Sequence, residues 1–229
     1  MTYATYPSLR DRVVFISGGS SGIGAELVRA FSQQGAKVAF CGTKVDGGQA
    51  VIDEVSAAGR FAPWYAACDV RDVVAYQALL KRVGNEVGPV RVLVNNAGNM
   101  YRGPLAELDE QQLLDVFHSN VVGGIMLTQR ALDDLVAASG AVIFIGSVHS
   151  QRAFPGAAPY AATKGAVETL TGVLAAELGP LGVRVSCIRP GGVFTELNQR
   201  AGLFDDDTAR GDDDRLRPIE RRRRHVANV

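Results

Sequence analysis

The chain has 229 residues, 47% of them apolar, enough for one compact domain with a sizeable core. Its 24 basic and 24 acidic side chains cancel. That balance speaks against nucleic acid or an anionic membrane surface as a partner and favours small neutral or cofactor-borne ligands.

Residues 1 to 12 lack a basic stretch followed by an apolar one, and no apolar run approaches the roughly 18 residues that cross a bilayer. A cytoplasmic protein without a membrane partner is the expectation. Short β-branched and aromatic runs predict strands at Arg12 to Ser17, Ala36 to Cys41, Phe61 to Ala67, Val90 to Asn95, Gly140 to Gly146 and Val183 to Ile188. Helical patterns fall between them, at Gly22 to Gln34, Gly47 to Ala58, Val73 to Val87, Gln111 to Ala138 and Pro159 to Leu178. Gly35, Gly59, Gly88 and Gly179 mark helix ends where a positive φ is wanted. Strand and helix in alternation, with most strands continuously apolar, predict a doubly wound parallel sheet in a three-layer αβα sandwich.

No repeat or linker interrupts residues 1 to 204, which are expected to form a single nucleotide-binding and catalytic domain. From Asp205 two acidic triplets and the arginine run Arg221 to Arg224 replace apolar periodicity, so residues 205 to 229 read as a charged, solvated tail. An anion-binding patch at the arginines is opposed by the acidic triplets nearby. Cys41, Cys68 and Cys187 are odd in number and widely spaced, which suits neither a disulfide framework nor a metal site.

The first strand runs straight into Ser17-Gly18-Gly19-Ser20-Ser21-Gly22-Ile23-Gly24, and a helix pattern follows at once. Gly18, Gly22 and Gly24 permit a tight turn and a close approach of backbone to a pyrophosphate, and the helix start supplies free N–H groups and a partial positive charge. Ser20, Ser21 and Ile23 complete this candidate phosphate seat, with hydroxyls available at the two serines. In isolation the segment also suits an ordinary Gly-Ser turn.

Tyr160 and Lys164 are four residues apart on a predicted helix and so share a face. Ser147 lies 13 residues before Tyr160, at the carboxyl end of the strand AVIFIGS, where open parallel sheets bind ligands. Asn120 sits in the long helix before that strand. A free phenol titrates near 10, too high for easy proton exchange at neutral pH, so a catalytic tyrosine needs a cation such as Lys164 to stabilise its anion. In this arrangement Tyr160 exchanges the proton of a substrate oxygen, Ser147 hydrogen-bonds that oxygen, and Lys164 is also placed to hold a cofactor ribose. Each residue alone has a structural alternative: a strand-end cap for Ser147, backbone satisfaction for Asn120, a solvated helix lysine for Lys164.

The glycine spacing GxxxGxG and the order Asn120, Ser147, Tyr160, Lys164 together resemble the short-chain dehydrogenase/reductase family, over roughly Arg10 to Asn198. The resemblance implies a Rossmann-type fold, nicotinamide-dependent hydride transfer, and a water-mediated proton relay at Asn120. It assigns Asn96, Ala97 and Gly98 of the NNAG run to the adenosine side of the cofactor groove, and Asp69 and Val70 to the adenine. Pro190, Gly191, Val193 and Thr195 fall to the nicotinamide end. Read locally, the same segments also suit an Asn-Gly turn, a helix-capping aspartate and a Pro-Gly turn.

The second strand ends in Cys41-Gly42-Thr43-Lys44, with no carboxylate to take a ribose 2′-hydroxyl. Thr43 and Lys44 therefore predict NADP(H) over NAD(H). Asn99, Met100, His149, Gln151, Phe154, Gly192 and Phe194 are expected around the substrate, with His149 more often a satisfied loop histidine than an acid or base. The expected substrate is a medium-sized, partly apolar molecule bearing a carbonyl or secondary alcohol.

Family members continue past such a tail into a further helix and a seventh strand, so a shortened or divergent carboxyl terminus is expected, which leaves homo-oligomer formation open. A nucleotide-binding sensor or scaffold without turnover is the rival reading. A methyltransferase on a related sheet would have no use for Ser147, Tyr160 and Lys164.

Overall fold

The computed structural model describes residues 4 to 193, 195 and 197. The predicted tail at 205 to 229 lies outside the described residues.

Six strands form one parallel sheet: β1 Val13–Ser17, β2 Lys37–Gly42, β3 Trp64–Ala67, β4 Val90–Asn95, β5 Ala141–Ile145 and β6 Arg184–Ile188. Their spatial order is β3-β2-β1-β4-β5-β6. The chain winds outward from β1 in one direction through β2 and β3, then returns to β4 on its other side. The carboxyl ends of β1 and β4 thus flank a topological switch point, where doubly wound sheets place ligands.

Alternate residues of β1 feed opposite cores. Val14 and Ile16 pack with Val28 of α1 (Gly22–Gln33) and Val51 of α2 (Val45–Ala57). Phe15 packs on the other face with Leu79 and Val83 of α3 (Val73–Glu86). That second core also takes Leu127 of α5 (Gly123–Arg130), Leu135 of α6 (Leu132–Ala137) and Val167 of α7 (Ala158–Leu178). Burial on both faces explains why β1, β2, β4 and β5 read as largely apolar runs.

Three expectations are corrected. The strand predicted from Phe61 begins only at Trp64, because Pro63 has no N–H for the ladder. Gly179 is right-handed at φ −54, and the left-handed residue that closes this turn is Gly182 at φ 81. The single helix predicted over Gln111 to Ala138 is instead α4 (Glu110–Phe117), a π turn at His118–Val122, then α5 and α6 on either side of Ala131. Ser119 Oγ donates to the Asp115 carbonyl at 2.7 Å inside the widened turn. The extra residue in that turn goes with an Asn120 side chain bonded to the neighbouring loop rather than exposed along a regular helix face.

Candidate active site

At the switch point the turn after β1 is assembled from backbone, one hydroxyl and one side-chain amide. Ser17 Oγ accepts from the N–H groups of Asn96 and Ala97, each at 3.0 Å, tying β1 to the end of β4. Asn96 Nδ2 reciprocates, donating to the carbonyls of Ser17 and Gly18 at 3.0 Å. Gly18 and Gly22 adopt φ of +67 and +54, a region closed to most side chains. A side chain at Gly24 would run into the Gly18 carbonyl oxygen and the Asn96 amide. Ser21 leads into α1 without capping it through its side chain, and the first amide to reach back is Ala25, to Ser21 O at 3.2 Å. The opening N–H groups of α1 and the half-buried Ser21 hydroxyl therefore remain for an anion.

The other end of the same groove is made of ionisable and hydroxylic side chains. Ser147 follows β5, while Tyr160 and Lys164 share one face of α7. All three are between 5% and 6% exposed. Lys164 Nζ lies 5.4 Å from the Tyr160 ring centroid and donates to the Ile145 carbonyl at 2.7 Å. Burial pushes its ammonium down to about 8, against a smaller opposite pull from Cys187. Burial holds the Tyr160 phenol above its ordinary value, and the hydrogen-bonding Ser147 hydroxyl draws it back down. Lowering of the phenol by Lys164, which the sequence led one to expect, is not a cause of its position here.

Behind this cluster Asn120 Oδ1 accepts from Asn99 N at 2.6 Å. Its Nδ2 donates to the Asn99 carbonyl and to Thr163 Oγ1, both at 2.9 Å. Thr163 Oγ1 passes its own proton to the Tyr160 carbonyl at 2.7 Å.

A single cavity of about 600 Å³ joins the two ends. Every residue that the sequence assigned to the cofactor lines it, from Gly18 and Ser20 through Thr43, Lys44, Asp69 and Asn96 to Pro190 and Thr195. Ser147, Tyr160 and Lys164 line it too, whereas Asn120 sits one layer back, beside a separate small void. Among the expected substrate contacts, Asn99, Met100, His149, Phe154 and Gly192 line the cavity. Gln151 does not, and its amide donates to Glu168 Oε1 at 2.9 Å. Phe194 lies outside the described residues.

Several residues that build the groove had not been singled out. Arg71 binds the Asp69 carboxylate at 2.7 Å and, chiefly through those hydrogen bonds, holds it below its ordinary value. Its position two residues after Asp69 was the available signal. Thr163, three residues after Tyr160 on the same helix face, had a comparable one. Ser17 was visible only as the last residue of a strand.

The short chain dehydrogenase family model matches residues 12–205. The chain is 34% identical over 206 residues to the probable galactose dehydrogenase GalD of Rhizobium meliloti, covering 90% of this chain and 80% of that one. A mutant of a Serratia marcescens short-chain dehydrogenase/reductase superposes with a TM-score of 0.80 at 35% identity, over 84% of this chain and 78% of the other. An alcohol dehydrogenase from Thermococcus sibiricus, solved with 5-hydroxy-NADP, gives a TM-score of 0.75 at 30% identity over 80% and 77%. The protein belongs to the short-chain dehydrogenase family of oxidoreductases, whose members use NAD or NADP. Among the described residues no helix is long and apolar enough to cross a membrane.

Proposed function

We propose that the protein is an NADP(H)-dependent oxidoreductase that interconverts a small carbonyl compound and its secondary alcohol. One observation carries this reading: a buried phenol, hydroxyl and ammonium share a cavity with a glycine turn in which even one added methyl would overlap backbone. The fit to a dinucleotide is the cradle itself, since Gly18, Gly22 and Gly24 leave room for a pyrophosphate and the opening amides of α1 face it. When bound, the nicotinamide supplies or takes the hydride.

Tyr160 gives its phenolic proton to the substrate oxygen during reduction and recovers it during oxidation. Burial favours the protonated phenol before reaction, the Ser147 hydroxyl eases its ionisation, and the Lys164 ammonium, 5.4 Å from the ring centroid, holds the cofactor ribose. Ser147 donates to the same oxygen as negative charge builds there. Asn120 fixes the Asn99 backbone at the cavity wall and, through Thr163, steadies the turn of α7 that carries Tyr160. Thr43 and Lys44 take the 2′-phosphate, in a strand end that offers no carboxylate to a free ribose hydroxyl.

The test is absorbance at 340 nm with NADPH and NADH against ketones, secondary alcohols and aldoses, the last because a relative is named a galactose dehydrogenase. Turnover with at least one class is expected, with NADPH bound the more tightly in a fluorescence titration. Tyr160→Phe should reduce kcat on the order of 10³-fold while leaving cofactor affinity intact. Cofactor binding without turnover across the panel would point instead to a nucleotide-binding protein that catalyses nothing.

A further inference from the structure

His149 walls the catalytic end of the cavity, yet the chemistry above gives it no task. It sits in the short turn Val148–Ser150 that follows Ser147, and it touches that serine twice. Its backbone N–H donates to Ser147 Oγ at 3.2 Å, and its ring Nδ1 lies 3.1 Å from the same oxygen. The ring is clamped, stacked on Phe154 at 4.2 Å between centroids and edge-on to Tyr160 at 5.2 Å. Burial, together with the nearby charges of Arg102 and Lys164, keeps the imidazole below its ordinary pKa and so neutral at pH 7.

A neutral imidazole carries one N–H, and a serine hydroxyl has one proton to give and two lone pairs. The His149 backbone N–H occupies one lone pair. If Nδ1 is bare, Ser147 must spend its proton on the ring and can only accept from whatever enters the cavity. If Nδ1 carries the proton, it fills the second lone pair, and the serine proton is turned toward Tyr160 and the space before it. The Ser147 hydroxyl already stabilises the ionised form of Tyr160, as a donor on that side would. A substrate oxygen gaining negative charge needs the same donor.

We propose that His149 is a positioning residue that acts as its Nδ1–H tautomer, saturating Ser147 Oγ as an acceptor and committing the serine proton to the reacting oxygen. The inference rests on the oxidoreductase reading above for its purpose, and on hydrogen-bond counting for its form.

The protein has three histidines, so ring nitrogens can be read by ¹⁵N NMR in histidine-labelled protein saturated with NADPH, with His149 identified by its loss in His149→Asn. A protonated Nδ1 and bare Nε2 are expected, and the reverse tautomer overturns the proposal. This measurement answers whether or not any substrate turns over. An enzyme inert toward every substrate would sink the oxidoreductase reading and leave the tautomer decided.

The kinetic counterpart uses two side chains of one shape. Asn can donate near the Nδ1 position, whereas ionised Asp can only accept and would claim the serine proton. His149→Asn should stay within about threefold of wild-type kcat, and His149→Asp should fall on the order of 100-fold, with the KM for NADPH unchanged in both. In a Ser147→Ala background the two variants should become equal. A deficit of Asp that survives there would come from its charge acting on Tyr160 or Lys164, and would overturn the proposal, as would equal losses in the native background.

Discussion

The two ends of the groove are built on opposite plans. At the proposed cofactor end the sequence withholds side chains, so that backbone amides and carbonyls meet one another and leave the groove open. Gly24 faces the Gly18 carbonyl and the Asn96 amide with no space between for a carbon atom. At the proposed catalytic end the sequence buries groups that water would rather keep, an ammonium 5% exposed and a phenol 6% exposed. The first plan makes binding and folding one property. The second sets them against each other, because charge taken out of water costs stability that catalysis requires.

The sharpest way to break this contrast is Gly24→Val. The added carbons meet the Gly18 carbonyl first, which is backbone, and then the Asn96 side-chain amide, so the turn itself must shift, at a cost of about 3 kcal/mol or more. NADPH affinity and the urea midpoint should collapse together. A variant that kept its stability but lost affinity would show that the turn is not part of the frame of the sheet.

Lys164→Met should do the opposite. Removing the cation from beside Tyr160 is expected to lower kcat on the order of 10³-fold, yet raise stability at neutral pH. The pH dependence follows from the direction of the shift. Lys164 falls from an ordinary 10.5 to about 8 on folding, so between those values the unfolded chain holds more protons than the folded one. Stability therefore rises with pH across that window, and below it the full cost of the buried charge, about 3 kcal/mol at most, is present. Urea unfolding at pH 7 and pH 9.5 reads this as the difference between wild type and Lys164→Met. The gap should shrink at the higher pH, and a constant gap would mean that Lys164 is not the titrating group.

What could be read beforehand divides along the same line. The glycine turn, the order of strands and helices, and the pairing of Tyr160 with Lys164 are local patterns, set by chain neighbours and by helix geometry. The π turn is not local. It accompanies an Asn120 side chain bonded to Asn99, 21 residues earlier, and no helical periodicity encodes that partner. His149 was expected beside the substrate, but its hold on Ser147 escaped for the same reason, since its ring is held by Phe154 and Tyr160 across a loop. Even Gly179, correctly seen as a helix end, gave the left-handed turn to Gly182, because the chain runs through one more short turn before reversing.

The smallest expected effect tests the link between these non-local contacts and the helix that carries the chemistry. Thr163 receives the Asn120 amide and gives its proton to the Tyr160 carbonyl, so it joins the π turn to the catalytic turn of α7. Thr163→Val keeps the shape, removes both bonds and strands one buried N–H of Asn120, at about 1 kcal/mol. With Asn120 still bonded to Asn99, kcat should drop only about threefold and the KM for NADPH should hold, while Thr163→Ser, which restores the hydroxyl, should recover the rate. A loss that Ser does not recover would mean that the methyl packing of Thr163, not its proton, carries the position of Tyr160. The catalytic end would then depend on close packing just as the glycine turn does.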